Sequence, residues 1–188
     1  METMEAIRNR KSVRSYTGEA VSAEDVRAVA QAGNMAAGTP MAGKVYLSAI
    51  TSRELLAQVS AATKQVMGAS GVPMLEKLAG NDAFDPMYGA PAAVVVSTDA
   101  AADPNTQAMA TMNAACAGQN MLVAATELGL GSCFLMTPAM AFAVPEVREA
   151  AKVPEGAQVQ CVIVFGATDD TEPHKAYPED PENVFYVG

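Results

Sequence analysis

The segment "NTQAMATMNAACAGQNMLVAATEL", residues 105–128, is the longest periodic stretch of the chain. Six positions recur every three or four residues, most of them with side chains larger than the surrounding alanines, and this spacing predicts one long helix. These positions are Met109, Met112, Cys116, Gln119, Leu122 and Ala125. A helix so rich in alanine and methionine can pack closely on every side, as the middle of a domain or a dimer interface requires.

Three other segments predict strands. "PAAVVVST" (91–98) is an uninterrupted apolar run, which is typical of a central strand buried on both faces. The segment "KVYLSAI" (44–50) is rich in β-branched and aromatic residues, and "VQCVIVFG" (159–166) predicts the last clear strand. Because helices and strands mix without a regular βαβ alternation, we expect an α+β fold in which helices cover a central sheet.

Capping residues and prolines predict where the shorter helices begin. Thr3 is a possible cap for a first helix, Ser22 starts a second with Asp25 three residues later, and Ser52 starts a third. Pro138 fits the first position of another helix, and Pro145 is expected to break it.

Two long segments are rich in turn residues. Residues 68–89 predict a long loop with one helical turn, and its apolar members suggest that it covers another part of the molecule. From Asp169 onward the chain is acidic and proline-rich, which predicts an extended tail. The end of this tail, "NVFYV" (183–187), is apolar, so we expect it to dock on a partner subunit.

Composition limits the classes of function. The 188 residues, 50% of them hydrophobic, suffice for one domain with a sizeable core. The net charge of -9 disfavours nucleic acids and anionic membranes as partners. Three widely spaced cysteines and one histidine suggest neither a metal site nor a disulfide framework. Without a signal sequence or a long apolar run, a soluble cytoplasmic protein is expected.

One cationic cluster stands out from this acidic background. "RNRKSVRSY" (8–16) places four cations within seven residues. If the chain is extended after the first helix, Arg10, Ser12 and Arg14 share one side and Lys11 lies on the other. Two guanidinium groups and a hydroxyl match a phosphate. The alternative is a solvated basic surface at a helix end, where cations are favoured.

Four segments, in order, resemble the FMN-dependent nitroreductase family. "RNRKSVRSYTGEAVSAEDVRAVAQAG" is similar to the family's opening, and "YGAPAAVVVSTD" to its Ala-Pro-led central strand. "NAACAGQNMLVAATELGLGSCFL" resembles its long helix with the Gly-rich turn that follows, and "VQCVIVFG" its closing strand. The resemblance runs from about Met4 to Gly166.

This resemblance implies a fold, an assembly and an activity. The fold is a single domain, 1–188, with a mixed, mostly antiparallel sheet, and residues 169–188 form a tail on the partner subunit. The assembly is a homodimer whose two FMN sites are each made from both subunits. The activity is ping-pong hydride transfer from NADH or NADPH through FMN to a nitroaromatic, quinone or related acceptor. The cofactor supplies the chemistry, so no catalytic side chain is expected.

The resemblance also implies particular cofactor-binding positions. The FMN phosphate and ribityl chain fall on Arg10, Lys11, Ser12 and Arg14, and the flavin edge on the backbone of Leu130, Gly131 and Ser132. Where family members carry an Asn and a Gln that bind the flavin ring, this chain has Met41 and Gly43. Thr39 or the amides of residues 38–44 are candidates to replace those contacts, and Lys175 is the candidate for the family's C-terminal phosphate contact.

Two alternative functions remain open at this point. The first is a flavin store or redox sensor with little turnover, which is favoured by the replacement of the family's Asn and Gln. The second is a protein that binds another phosphate ligand through Arg10 and Ser12. Cys133 lies near the expected flavin edge, and we interpret it as a buried, inert thiol.

Overall fold

The structure is a computed structural model that describes residues 2–170, 172 and 182–187. Six α-helices lie in this part of the chain: α1 (Thr3–Asn9), α2 (Ala23–Asn34), α3 (Arg53–Gly68), α4 (Pro73–Ala79), α5 (Pro104–Glu127) and α6 (Pro145–Ala150). Its strands are β1 (Val45–Ile50), β2 (Ala92–Asp99), β3 (Gly131–Leu135) and β4 (Ala157–Gly166). Short 3-10 helices span Pro40–Ala42 and Thr137–Ala143.

The four strands form one sheet in the order β1-β2-β4-β3, and every neighbouring pair is antiparallel. Val45 of β1 pairs with Thr98 of β2, and Gly131 of β3 pairs with Gly166 of β4. The described residues add one parallel bridge, between Ser12 and Ser132. The predicted α+β fold with a mostly antiparallel sheet is therefore confirmed.

Helices cover both faces of the sheet, because the central strands alternate their buried side chains between two clusters. Val94 and Ile163 pack with α2 and α5 on one face, whereas Val95 and Val162 pack with α3, α6 and the 3-10 helix Thr137–Ala143 on the other. All four side chains are at most 1% exposed. Burial on both faces explains the uninterrupted apolar run of β2.

Side-chain caps fix three of the helix starts. The Ser22 hydroxyl accepts from the Asp25 amide, the Ser52 hydroxyl from the Leu55 amide, and the Asp103 carboxylate from the Thr106 amide. The first two were expected from the sequence. Thr3 is not a cap: α1 already includes it, and the preceding Glu2 makes no capping hydrogen bond with its side chain.

Three local predictions differ from the structure in detail. The long loop at 68–89 contains a complete seven-residue helix, α4. The Gly-rich turn after α5 is shorter than expected, because β3 already begins at Gly131. Pro145 ends the preceding 3-10 helix, as predicted, but it also takes the first position of α6. None of the helices in the described part of the chain has the length and apolarity needed to cross a membrane.

Candidate functional site

The N-terminal cationic run lies along the edge strand β3. Ser12 and Ser132 form the parallel bridge, and the Val13 amide donates to the Ser132 carbonyl oxygen at 2.9 Å. This pairing extends the chain after α1, as the phosphate hypothesis requires. Arg10 itself has extended dihedral angles, φ -60° and ψ 124°.

Within the run, Val13 is the buried residue between two exposed neighbours. Val13 is 3% exposed and enters the core, while its neighbours Ser12 and Arg14 are exposed and Arg10 is half-buried. Two guanidinium groups and a hydroxyl therefore lie on the outer side of the run, attached to a strand edge. These three residues are the candidate anion-binding groups of the run.

Two protonated groups lie beneath this face. Burial raises the pKa of the Cys133 thiol, and the nearby Arg14, Ser12 and Arg10 only partly oppose that effect. Burial also raises the pKa of Tyr16, with the Cys133 charge adding to it and Arg14 opposing it. The Tyr16 hydroxyl donates to the Val13 carbonyl oxygen at 2.9 Å. Both groups are therefore neutral near pH 7, and Cys133 is buried, as the sequence suggested.

The start of β3 is tightly packed. A Cβ on Gly131 would lie 2.8 Å from Thr168 Cγ2 and 2.9 Å from Val13 Cγ1, so close packing within the chain already requires a glycine here. The Leu130 amide donates to the Ala125 carbonyl oxygen at 2.8 Å and is therefore not free for a ligand. The Ser132 hydroxyl is buried and lacks a hydrogen-bond partner within the described structure.

The loop of residues 38–44 is fixed by a buried asparagine of α5. Asn113 accepts from the Thr39 amide and donates to the Thr39 carbonyl oxygen, both at 3.0 Å. The amides of Ala42, Gly43 and Lys44 also donate inside the chain. Since Pro40 has no N–H, only Gly38 and Met41 of this loop have amides without such a bond in the described structure, and the Met41 side chain is 76% exposed.

Gly43 is constrained by a carboxylate. Its φ is +76°, and a Cβ at this position would lie 2.5 Å from Asp99 Oδ2. Asp99 accepts from the Lys44 amide at 2.9 Å and from the Tyr46 hydroxyl at 2.8 Å. The pKa of Asp99 is lowered, mainly by the Lys44 amide and then by Tyr46. The loop therefore has no room for a longer side chain at 43.

The two predicted parts of the cofactor site lie at opposite corners of the sheet. Ser12 lies on the β3 edge at the Gly131/Gly166 end, whereas Gly43 adjoins β1 at the Asp99 end. The edges are three strand spacings apart, about 14 Å, and the two ends are separated by roughly 20 Å along the strands. No single small ligand can bridge this diagonal within one chain.

Two further cations were predicted to bind the cofactor, Lys11 and Lys175. The Lys11 ammonium lies 2.5 Å from Asp170 Oδ1, and it also donates to the Glu172 carbonyl oxygen. Lys175 lies outside the described residues. Sequence reasoning missed the three polar residues that fix these segments: Asp99, Asn113 and Asp170. Their partners are more than fifty residues away, so no local pattern identifies them.

Comparison with known proteins matches this arrangement to a family. The model of the nitroreductase family matches residues 7–167, and the chain belongs to that family. A nitroreductase with bound FMN from Bacteroides fragilis has a similar structure, with 27% identity, a TM-score of 0.87 and complete coverage of both chains. No curated protein matches the sequence.

Two more distant structures share the fold alone. One is a nitroreductase with bound FMN from Desulfitobacterium hafniense, at 23% identity and a TM-score of 0.81 over the whole of both chains. The other is an FMN-dependent nitroreductase from Clostridium difficile, at 22% identity and a TM-score of 0.69 over 100% of this chain and 98% of that one.

Proposed function

We propose that this chain is an FMN-dependent oxidoreductase that takes hydride from NADH or NADPH and reduces a small acceptor such as a nitroaromatic or a quinone. Family membership and the FMN-bound relative from Bacteroides fragilis support the cofactor. The observation that carries the proposal is the outward-facing set of Arg10, Ser12 and Arg14, held on β3.

The donor set fits the phosphate of FMN. Guanidinium groups match phosphate oxygens in charge and geometry, and the Ser12 hydroxyl adds a third donor. The chain has a net charge of -9, so the attraction for an anion is local to this run. The unpaired Ser132 hydroxyl below it is a further polar group at this corner, consistent with a polar ligand nearby.

The distance between the cationic run and the loop of residues 38–44, at opposite corners of the sheet, supports a site built from two chains. In a homodimer, the run at the β3 edge of one subunit and the loop at 38–44 of its partner are the parts that complete one site. The exposed side of α5 suits such an interface, because no charged residue occurs from Pro104 to Thr126 and Met112 is 63% exposed. The apolar residues 184–187 are also exposed and suit docking on the partner subunit.

The side chains of the site bind and orient rather than transfer protons. FMN, when bound, supplies the hydride-accepting chemistry. Arg10, Ser12 and Arg14 fix the anionic end of the cofactor, and the neutral Cys133 and Tyr16 add no ionised group below it. This assignment needs no acid or base from the protein.

One spectroscopic experiment tests the proposal against both alternatives. The purified protein is loaded with FMN, and its absorbance is followed under nitrogen after NADH or NADPH is added. Bleaching within seconds, and reoxidation by a quinone or a nitroaromatic, supports the oxidoreductase. A yellow protein that does not bleach supports a flavin store or sensor, which the exposed Met41 and the blocked Gly43 favour. A protein that cannot be loaded with FMN contradicts the proposal.

A further inference from the structure

By the two-residue period of an extended chain, Lys11 falls on the opposite side of the cationic run from Arg10, Ser12 and Arg14. Its side chain is 21% exposed, and its ammonium contacts Asp170 at 2.5 Å and the Glu172 carbonyl oxygen. Two of its three donors are therefore used within the chain. A lysine engaged in this way is poorly placed to bind a phosphate on the other face.

The partners of Lys11 belong to the chain that leaves β4. The Thr17 amide donates to the Ala167 carbonyl oxygen at 3.0 Å, and the Thr168 hydroxyl donates to the Ser15 carbonyl oxygen at 2.8 Å. The Asp170 amide donates to the same hydroxyl at 3.1 Å. Ala167, Thr168, Asp170 and Glu172 are therefore held along residues 11–17, with Lys11 at the far end of the contact.

The Lys11 contact is the one in this set between two charged groups. The hydrogen bond from Lys11 lowers the pKa of Asp170, so the carboxylate is charged at neutral pH. An ammonium–carboxylate contact is roughly twice as strong as a neutral hydrogen bond of the same geometry. Within residues 2–170, 172 and 182–187, this is the one ion pair closer than 4.0 Å.

We propose that Lys11 is a positioning residue rather than a cofactor ligand. Its contact with Asp170 fixes the start of the C-terminal segment to the side of the cationic run opposite Arg10, Ser12 and Arg14, the residues assigned to the cofactor. The cofactor site and the first part of the tail are then held as one unit. The cofactor half of this statement rests on the proposed function, whereas the attachment of the segment does not.

Exchanging the two charges tests the attachment. We compare wild type with Lys11→Asp, Asp170→Lys and the double variant that carries both changes. Each single variant places like charges together, and the double variant restores an opposite pair at the same place. Arg8→Asp is the matched control, because Arg8 is exposed on α1 and its replacement changes the net charge by the same amount as Lys11→Asp.

The first readout is hydrogen exchange of the amides of residues 167–172 in the protein without FMN. We expect exchange to be severalfold faster in each single variant, close to wild type in the double variant, and unchanged in Arg8→Asp. Unchanged exchange in the single variants, or equally fast exchange in the double variant, would overturn the attachment. This readout does not depend on whether the protein binds FMN.

The second readout is the FMN dissociation constant from fluorescence titration. A positioning role predicts that Lys11→Asp and Asp170→Lys each weaken FMN by roughly two- to fivefold, and that the double variant restores the affinity. If Lys11 instead binds the phosphate, Lys11→Asp weakens FMN at least tenfold, Asp170→Lys does not weaken it, and the double variant gives no recovery. That outcome would overturn the positioning role. A wild type that fails to bind FMN contradicts the proposed function and leaves the exchange test valid.

Discussion

Ser12 and Ser132 face each other in a parallel bridge, and the hydrogen bond from the Val13 amide to the Ser132 carbonyl oxygen closes it at 2.9 Å. This bridge connects the first residues of the chain to an edge strand more than a hundred residues later. Because the bridge at Ser12 lies two residues from Arg10 and two from Arg14, both guanidinium groups leave the backbone close to a point fixed by the sheet. A rigid support of this kind is what a precise anion site requires.

Replacing Arg10 by alanine should weaken FMN binding while leaving the protein folded. If Arg10 binds the FMN phosphate as proposed, the substitution removes a charge-assisted contact, so we expect a ten- to hundredfold rise in the dissociation constant. Fluorescence titration measures this change, and circular dichroism checks the fold. Arg8→Ala is the control, since Arg8 is exposed on α1 and is not one of the three residues assigned to the phosphate. Equal FMN affinity in Arg10→Ala and wild type would remove Arg10 from the site.

The Asn and Gln that the resemblance implies at positions 41 and 43 should be tolerated at position 41 and should destabilise the fold at position 43. Met41 is 76% exposed, so Met41→Asn should fold normally. Gly43→Gln should be destabilised, because φ is +76° and the new Cβ would lie 2.5 Å from Asp99 Oδ2. Urea denaturation measures both effects.

A second glycine provides the control for Gly43. Gly18 has a φ of +78°, but a Cβ at this position would have no atom within 4 Å, so Gly18→Ala should show the backbone cost alone, roughly 1–2 kcal/mol. Gly43→Ala should lose more stability than Gly18→Ala, because Gly43 combines the contact to Asp99 with φ +76° and ψ -160°, a backbone region essentially restricted to glycine. Equal losses would mean that Asp99 moves aside readily, and the loop would then tolerate the glutamine.

Removing the C-terminal residues from Pro178 onward should lower the dimer content and the melting temperature. Phe185, Tyr186 and Val187 are each more than 80% exposed in the single chain, and burying such side chains on a partner stabilises a dimer. Analytical ultracentrifugation and thermal unfolding measure the two effects. Replacing Phe185 and Tyr186 by serine in the full-length chain separates apolar burial from chain length. A truncated protein that remains dimeric with an unchanged melting temperature would exclude this role for the tail.

The N-cap of α5 should make stability depend on pH in the acid range. The pKa of Asp103 is lowered from 3.8, mainly by the hydrogen bond from the Thr106 amide. Since the folded pKa is below the unfolded one, the contribution of the carboxylate is present above about pH 4 and is lost as the pH falls through the folded pKa. Asp103→Ala should therefore be less stable than wild type near pH 7, and the difference should shrink at acid pH, as the pH falls through the folded pKa.

A matched variant separates charge from capping at this position. Asp103→Asn keeps a side-chain acceptor for the Thr106 amide without a titrating group. Its stability relative to Asp103→Ala should change little between the two pH values. If wild type and Asp103→Ala differ by the same amount at both, the carboxylate does not contribute through its charge.

The sequence by itself determined the family and most of the elements, although it predicted neither β3 nor α6. The apolar run of β2 and the three-to-four spacing of α5 depend on burial periodicity, which is local and readable. Ser22 and Ser52 start their helices because an N-cap bond spans only three residues. The sequence also predicted that Arg10, Ser12 and Arg14 lie on one side of the chain and Val13 on the other, because side chains of an extended chain alternate with a period of two residues.

Tertiary structure decided which of these residues come together. The side-chain contacts that fix the candidate site are long-range: Lys11 with Asp170, Thr39 with Asn113 and Lys44 with Asp99. A pairing between residues far apart in the chain depends on the strand order, and no local propensity encodes it. The same strand order places Ser12 and Gly43 at opposite corners of the sheet. The sequence suggested both residues for one cofactor, but only the topology shows that a single chain cannot bring them to the same ligand.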